Sequence, residues 1–292
     1  MAAASSSKVA LVTGASQGIG TGVVSRIARL YPQSYFGTTP SPTPLTLYFT
    51  ARNVERGQES FENLRKELGP NKVLVEDGGP TTLKFHQLDI TDPKSREAMA
   101  ATIKKEGGLD LLVNNAGIAL NGFDGDVVHD TLGTNYYATR DITRLLLPHM
   151  RDGGRIVTVA SMAGKLNGYS DDITKRFKAV QTEQEADQLM KEFEDSVKAG
   201  DHDQKGWKSA AYSVSKAGII AWHVALAREL KASGSSIVPT TCCPGYVSTR
   251  MTKHKGVRTI EEGAMTPSTL ALDNVGDAGG SFWENSRPSV WG

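Results

Sequence analysis

Residues 9–20 have the sequence VALVTGASQGIG, in which an apolar run leads directly into a glycine-rich turn. The run 9–12 predicts a buried strand, and Gly14, Gly18 and Gly20 permit a tight turn that lets the backbone approach a diphosphate. A helix after the turn would offer its free N–H groups and its positive dipole end to the phosphates. A purely structural turn could use the same glycines, but their position between a strand and a helix favours a dinucleotide site.

Outward from this turn, apolar runs alternate with helical patterns. We predict strands at 9–12, 45–51, 83–88, 109–113 and 155–161, a sixth that ends at Cys242 and a seventh at 281–284. The runs are almost continuously apolar, as in strands that helices cover on both faces. The pattern predicts an α/β fold, a doubly wound Rossmann-type parallel sheet of about seven strands flanked by helices. Pro239 lacks an N–H, so we expect a bulge there or a strand that begins after it.

No repeat or linker divides the chain, so we expect one domain over residues 1–292. A long helix is predicted through about Met150, ended by the glycines at 153–154, and another over 209–233. Two stretches resemble insertions: a proline-rich surface loop near 37–44 and a charged, helical segment at 165–208. In the second, Thr182 and Glu185 form a capping-box pattern. Five apolar residues follow at the spacing of one helix face: Ala186, Leu189, Met190, Phe193 and Val197.

Composition excludes several classes of protein. The chain has 33 Lys and Arg against 32 Asp and Glu, so it lacks the basic surplus of a nucleic-acid binder. Its most apolar stretch, 217–227, is too short to span a bilayer, and residues 1–8 lack the pattern of a signal peptide. The adjacent Cys242 and Cys243 exclude a disulfide framework and favour the cytoplasm. The histidines lack the spacing of metal ligands, so no metal is predicted.

The end of the second predicted strand indicates which nicotinamide cofactor the chain would use. A site for NAD places an acidic residue there to hold the ribose 2′-hydroxyl. Here the strand ends at Ala51 and is followed by Arg52 and Asn53. A guanidinium can bind a 2′-phosphate through paired, charge-assisted hydrogen bonds. A solvated surface arginine is the alternative, but at this position Arg52 favours NADP(H).

A candidate reaction centre lies later in the chain. Tyr212 and Lys216 are four residues apart and therefore on one side of a predicted helix. An ammonium beside a phenol favours the phenolate, so we expect the pKa of Tyr212 to be lowered toward that of a useful proton donor. Ser161 follows the fifth strand, at the edge of the sheet where ligands of such folds bind. Its hydroxyl could hold a substrate oxygen toward Tyr212.

Several short motifs occur along the chain in the order that one family shows. The pattern Thr-Gly-x-x-x-Gly-x-Gly at 13–20 is followed by Asp-Ile at 89–90, Asn-Asn-Ala-Gly at 114–117 and Pro-Gly at 244–245. Together they resemble the short-chain dehydrogenase/reductase family. The resemblance implies that Asn135 supports a proton relay to the lysine, which completes a catalytic set of Asn135, Ser161, Tyr212 and Lys216. It also implies the residues that bind the cofactor: Gly14, Ser16, Gln17, Gly18, Ile19, Gly20, Arg52, Asn53, Asp89, Ile90, Asn115, Ala116, Gly117, Tyr212, Lys216, Pro244, Gly245, Val247 and Thr249.

The long connection between Ser161 and Tyr212 is similar to that of the monomeric NADPH-dependent carbonyl reductases. Gly-Trp at 206–207, Cys-Cys-Pro-Gly at 242–245 and the stretch 281–285 resemble them as well. The resemblance implies reduction of a small-molecule aldehyde, ketone or quinone. Two alternatives remain: an alcohol dehydrogenase that oxidises one metabolite, and a non-catalytic sensor that binds NADP(H).

The inserted helix also suggests an oligomeric state. Its apolar face needs a partner surface, and in related oligomeric reductases the exposed faces of the long helix (here 126–150) and of the catalytic helix pair with another subunit. We expect the inserted helix to dock on that surface and to leave the protein a monomer. Alternatively, it covers the substrate pocket or forms part of an interface itself.

Overall fold

The computed structural model describes residues 7–292, and these form one mixed sheet of eight strands. The expectation that 1–8 is not a signal peptide falls mainly on residues 1–6, which lie outside the described part. The spatial order of the strands is β3-β2-β1-β4-β5-β6-β7-β8, and every neighbouring pair is parallel except β7 and β8. The strands are β1 (Lys8–Val12), β2 (Leu45–Ala51), β3 (Thr81–Gln87), β4 (Leu109–Asn114), β5 (Met150–Val159), β6 (Val238–Cys243), β7 (Phe282–Glu284) and β8 (Arg287–Ser289). The predicted doubly wound sheet is confirmed, with one antiparallel strand more than expected.

Helices cover both faces of the sheet. They are α1 (Ile19–Leu30), α2 (Tyr35–Thr38), α3 (Val54–Leu68), α4 (Pro93–Lys105), α5 (Gly125–Leu132), α6 (Thr139–Leu146), α7 (Asp171–Ala179), α8 (Glu183–Ala199), α9 (Ala211–Ala232) and α10 (Ile260–Leu272). None of the helices within residues 7–292 combines the length and apolarity that crossing a membrane requires.

The sheet separates two apolar cores, because successive residues of each strand point to opposite faces. Leu11, Leu112 and Ile156 belong to the core beneath α4, α6, α8 and α9. The residues that follow two of them, Val12 and Val157, belong to the core beneath α1, α3 and α10. This two-sided burial explains why the strands have continuous apolar runs in the sequence.

The predicted long helix is wrong in two respects. A π-helical segment, Gly133–Ala138, separates α5 from α6, so the helix is not regular. The α-helix then ends at Leu146, because Pro148 directs the chain into a short 3₁₀ turn, Leu147–His149. The glycines at 153–154 consequently lie inside β5, where the register with β4 shifts, rather than at a helix end.

Pro239 also departs from the prediction. It lies inside β6 and pairs with Ile156 without any shift of register. Its carbonyl oxygen accepts a hydrogen bond from the N–H of Gly280 at 2.8 Å, on the side away from β5. The nitrogen of a strand residue points to the same side as its carbonyl, and β7 pairs with β6 only from Thr241 onward. The missing donor of Pro239 therefore leaves no bond of the β5–β6 pairing unmade.

Both stretches that resemble insertions have defined structure. The proline-rich stretch begins within α2, which Ser34 caps by accepting a hydrogen bond from the N–H of Gly37 at 2.9 Å. Its first two residues, Gly37 and Thr38, are thus helical rather than part of a loop. The stretch 165–208 contains α7 and α8, and the capping box between Thr182 and Glu185 forms as the sequence predicts.

Helix α8 packs on α9 and α5 through its apolar face. Ala186, Leu189, Met190 and Phe193 are buried there. Gly218 of α9 permits the close approach, since a Cβ at that position would lie 2.4 Å from the sulfur of Met190.

Charged side chains of α6 flank this contact. Arg140 pairs with Asp187 of α8, and Arg144 pairs with Glu183 of α8 at 2.6 Å and with Glu229 of α9 at 2.6 Å. The indole N–H of Trp222 donates to the same Glu183 at 2.7 Å. The insertion thus covers α9, which carries Tyr212, and contacts α6, which precedes it.

A buried chain of polar side chains links the sheet to α6 and α9. The amide of Asn114 donates to the hydroxyls of Thr143 (2.8 Å) and Thr158 (3.1 Å). The Nε2 atom of His223 lies 2.8 Å from the Thr158 hydroxyl, and its Nδ1 lies 2.9 Å from the carbonyl oxygen of Ile219. Because a carbonyl only accepts, Nδ1 carries a proton. Burial favours the neutral ring, in which Nε2 accepts from the Thr158 hydroxyl.

The neutral state of His223 predicts a loss of stability in acid. Burial lowers its pKa to about 4. The histidine of the unfolded chain would bind a proton below about pH 6.5, whereas that of the folded protein would not until about pH 4. The free energy of unfolding should therefore fall by ~3 kcal/mol as the pH falls through this interval. We expect His223→Gln to remove that part of the pH dependence of the unfolding free energy, measured with urea between pH 7 and pH 4.

His254, which is exposed and lies outside this network, provides the matched control. His254→Gln should keep the wild-type pH dependence of the unfolding free energy. The same pH dependence of the unfolding free energy in the wild type and in His223→Gln would contradict a neutral, buried histidine.

Candidate active site

The glycine-rich turn and the turn after β4 lie against each other at the carboxyl edge of the sheet. The hydroxyl of Thr13 accepts hydrogen bonds from the N–H groups of Asn115 and Ala116, both at 3.0 Å. The side-chain amide of Asn115 donates to the carbonyl oxygens of Thr13 (3.0 Å) and Gly14 (2.9 Å). A Cβ on Gly14 would lie 2.9 Å from the Cα of Ala116. The two predicted motifs therefore form a single wall.

The remaining residues of the glycine-rich turn lead into α1 and leave its first N–H groups without a side-chain cap. A Cβ on Gly20 would lie 2.4 Å from the carbonyl oxygen of Gly14, so only glycine fits. The carbonyl of Ser16 accepts from the hydroxyl of Ser60 at 2.9 Å. Helix α1 begins at Ile19 with Gly18 as its N-cap, and no side chain caps it. Its first N–H groups therefore remain available to an anion.

The structure brings the ribose-side candidates together at the ends of β2 and β3. Arg52 is exposed, and its Nε lies 3.9 Å from a carboxylate oxygen of Asp89. Ile90 is buried beside it. Asn53 caps α3 by accepting from the N–H of Arg56 at 2.9 Å. Arg56, in the first turn of α3, is a second exposed cation at this corner, and no sequence motif marks it.

The four predicted catalytic residues converge on the same edge. Ser161 follows β5, and its hydroxyl accepts from the N–H of Ala163 at 3.1 Å and also interacts with the hydroxyl of Tyr212. A Cβ on Gly164 would lie 2.7 Å from the backbone of Lys216, so this glycine lets the turn after Ser161 approach α9. The turn that holds Ser161 is thereby packed against the helix that carries Tyr212.

Lys216 and Asn135 lie beneath the hydroxyl pair. The buried ammonium of Lys216 donates to the carbonyl oxygen of Val159 at 2.8 Å and lies 5.6 Å from the centre of the Tyr212 ring. Asn135, in the π-helical segment, accepts from the N–H of Ile118 at 2.8 Å and donates to its carbonyl oxygen at 2.9 Å. A Cβ on Gly117 would lie 3.0 Å from Oδ1 of Asn135 and 3.8 Å from Nζ of Lys216.

Burial dominates the pKa values of Tyr212 and Lys216. It raises the pKa of Tyr212 to about 12, although the hydrogen bond with Ser161 acts in the opposite direction. It also lowers the pKa of Lys216 to about 8. The expectation that Lys216 lowers the pKa of Tyr212 is therefore wrong for this structure. The physical reason is desolvation: the surrounding protein disfavours the charged form of each group.

The segment after β6 completes the crevice. Gly245, which follows the buried Pro244, has φ +84°, and a Cβ there would lie 2.6 Å from a guanidinium nitrogen of Arg258. Val247 is buried. The methyl group of Thr249 would lie 3.1 Å from a Cβ on Gly18, so this threonine lies against the glycine-rich turn.

Two further side chains of the site, Arg250 and Ser215, were not predicted from the sequence. Arg250 donates to Oε1 of Gln17 at 3.3 Å and so joins the segment after β6 to the glycine-rich turn. Ser215 donates to the carbonyl oxygen of Tyr212 at 2.8 Å and accepts from the amide of Asn135 at 3.1 Å. Its spacing from Tyr212, three residues along one helix, was the available clue.

The crevice suits a dinucleotide phosphate. Glycines occupy the points where a Cβ would collide with backbone, the first turn of α1 has no side-chain cap, and exposed guanidinium groups lie at the end of β2. A hydroxyl pair and a buried ammonium lie at the other end of the same edge. Fold and site together are those of a Rossmann-type dehydrogenase.

Comparison with known proteins identifies the family. The family model for short chain dehydrogenase matches residues 46–171 and 196–258. The chain is 39% identical to carbonyl reductase [NADPH] 3 of Rattus norvegicus, over 92% of each chain. It is 37% identical to carbonyl reductase [NADPH] 1 of Homo sapiens, over 97% of this chain and 98% of that protein.

A solved structure with a similar fold is salutaridine reductase from Papaver somniferum. Its TM-score is 0.76 at 26% identity, over 95% of this chain and 99% of that one. The chain belongs to the short-chain dehydrogenase/reductase family.

Proposed function

We propose that this protein reduces an aldehyde, ketone or quinone to the alcohol with NADPH. The observation that carries the proposal is the adjacent pair of hydroxyls of Tyr212 and Ser161, above the buried ammonium of Lys216. The identity with the rat and human carbonyl reductases over almost the whole chain supports the same conclusion.

In this proposal each residue of the set has one task. NADPH, when bound, supplies a hydride for the carbonyl carbon. Tyr212, kept protonated by its raised pKa, donates its hydroxyl proton to the carbonyl oxygen, which Ser161 orients by a hydrogen bond. The ammonium of Lys216 compensates the negative charge left on the phenolate of Tyr212. Asn135 holds the backbone at Ile118 in place through two hydrogen bonds.

We assign the cofactor to the crevice described above. The N–H groups at the start of α1 and the backbone at 14–20 would hold the diphosphate, and the turn 115–117 would form its opposite wall. Arg52 would pair with the 2′-phosphate. Thr249, beside Gly18, would cover the diphosphate.

We also infer that residues 1–292 act as one domain in a monomer in the cytoplasm. The continuous sheet supports a single domain. The free thiols of Cys242 and Cys243 support a reducing compartment. Helix α8 supports the monomer, because its apolar face and its ion pairs cover α9 and flank α6, the surface that a second subunit would need.

Tyr212→Phe tests the proton donor. Removing the hydroxyl should lower kcat about 100- to 10,000-fold, because it removes proton transfer in the transition state. NADPH binding, followed by nucleotide fluorescence, should remain. Tyr137→Phe is the matched control, since Tyr137 is a half-buried tyrosine outside the set and its loss should have little effect. A Tyr212→Phe enzyme that turns over a panel of carbonyls at the wild-type rate would refute the mechanism.

Arg52→Asp tests the choice of cofactor. A carboxylate at this position repels the 2′-phosphate, so kcat/KM with NADPH should fall while that with NADH changes less. Lys66→Asp changes the same charge at an exposed site near the other end of α3 and should leave the ratio unaltered. A wild-type protein that uses both cofactors equally would contradict the assignment.

Light scattering tests the oligomeric state. We expect a mass close to that of one chain, 31.3 kDa, across the working concentration range. A stable dimer or tetramer would show that α8 does not block association.

A further inference from the structure

Arg250 belongs to the segment after β6 and lies against the glycine-rich turn. The methyl group of the preceding residue, Thr249, would lie 3.1 Å from a Cβ on Gly18. A guanidinium nitrogen of Arg250 donates to Oε1 of Gln17, in the same turn, at 3.3 Å. Folding therefore brings a full positive charge to the loop that leads into α1, although Arg250 and Gln17 are 233 positions apart in the chain.

The backbone around Arg250 is held in place by hydrogen bonds. The hydroxyl of Thr252 donates to the carbonyl oxygen of Val247 at 2.7 Å and accepts from the N–H of Thr249 at 3.0 Å. The carbonyl oxygen of Arg250 itself accepts from the N–H of Lys253 at 3.0 Å. These bonds form a tight turn that fixes the position from which the Arg250 side chain extends.

The charge of Arg250 has no opposite charge beside it. Among residues 7–292, no carboxylate forms an ion pair with Arg250, and its partner Gln17 is neutral. Their bond is longer than the usual N–H···O distance of about 2.9 Å, and both residues are exposed. The first acidic residue that follows in the chain, Glu261, pairs with Arg26 at 2.6 Å. An incoming anion would therefore displace only a weak, neutral contact of Arg250.

The glycine-rich turn has no full charge of its own. Residues 13–20 contain no Lys, Arg, Asp or Glu. No acidic residue occupies the first turn of α1, and no side chain caps this helix. Its N–H groups and its dipole offer only partial positive charge to an anion, whereas a dinucleotide carries negative charge on both phosphates of its diphosphate. The guanidinium of Arg250 supplies a whole charge at the same turn.

We propose that Arg250 binds the diphosphate of the nicotinamide cofactor and holds the segment 246–260 against the glycine-rich turn. The inference rests on the assignment of the cofactor to this crevice under the proposed function. It gives Arg250 a task separate from that of Arg52, which would recognise the 2′-phosphate and so select NADPH. Arg250 would bind a group that NADPH and NADH share, through a charge-assisted bond that is stronger than its bond to Gln17. It would therefore raise the affinity for both cofactors and slow their release.

The experiment separates the phosphate groups by using fragments of the cofactor. ADP-ribose has the diphosphate without a 2′-phosphate, and adenosine 2′-monophosphate has the 2′-phosphate without a diphosphate. In calorimetric titrations, Arg250→Gln should weaken the binding of NADPH and of ADP-ribose about tenfold each and change that of adenosine 2′-monophosphate by less than about twofold. The rate of NADPH release, followed by stopped-flow nucleotide fluorescence, should rise about tenfold. The new amide can still donate to Gln17, so the variant removes the charge and keeps that contact.

Two further variants serve as controls. Arg250→Lys keeps the positive charge and should retain most of the affinity for ADP-ribose. Lys255→Gln removes one exposed charge from the same segment and should bind all three ligands as the wild type does. Added salt should weaken the binding of ADP-ribose to the wild type more than its binding to Arg250→Gln.

Equal binding of ADP-ribose by the wild type and Arg250→Gln would overturn the inference. So would an equal loss in Lys255→Gln, which would indicate a general effect of charge, or an equal loss for adenosine 2′-monophosphate. The titrations do not require turnover, so a protein that shows the expected pattern but reduces no carbonyl would refute the proposed reduction and support the role of Arg250. A wild type that binds neither NADPH nor ADP-ribose would overturn both.

Discussion

The pairing of β1 with β4 at the centre of the sheet is the constraint on which the site depends. Strand β1 pairs with β2 on one side and with β4 on the other, so the chain order reverses at this point and a crevice opens above it. The hydroxyl of Thr13 and the amide of Asn115 join the turns that leave these two strands through four hydrogen bonds. Because the turns are held so closely, Gly14 and Gly20 have no room for a side chain. The wall of the cofactor crevice is thus a consequence of strand pairing.

The reaction centre depends on a second, buried set of bonds below it. Asn114 and Thr158 stand in β4 and β5, and His223 lies in α9, the helix that carries Tyr212 and Lys216. Leaving buried polar groups unpaired is costly, so these hydrogen bonds favour few relative positions of sheet and helix. Desolvation, which makes an unpaired group in this network costly, also acts on Tyr212 and Lys216. It raises the pKa of Tyr212 and lowers that of Lys216, so the environment rather than their mutual contact governs their protonation.

Helix α8 and the segment after β6 form two surfaces with different surroundings. Helix α8 begins at a capping box and buries its apolar face on α9, while Arg140 and Arg144 of α6 neutralise its acidic side. The segment after β6 lines the crevice, and its cations bond to neutral oxygens beside exposed apolar side chains. Thr249 and Arg250 of this segment lie against the glycine-rich turn, whereas α8 packs on α5 and α9.

The sequence by itself determined the class of fold, and it predicted most of the residues that the structure brings together at the carboxyl edge of the sheet; Arg56, Arg250 and Ser215 were missed. Continuous apolar strands, glycines at 14, 18 and 20, and the spacing of Tyr212 and Lys216 are local patterns, and the backbone expresses them wherever they occur. Helix ends, the position of Pro239 and the direction of the Tyr212 pKa were decided only by tertiary structure. Pro239 is tolerated because β7 pairs late, and the pKa follows from side chains that surround the phenol from distant parts of the chain. Arg250 and Lys253 likewise gained their partners, Gln17 and Asn121, only through folding, because no local pattern encodes a contact between residues so far apart in the chain.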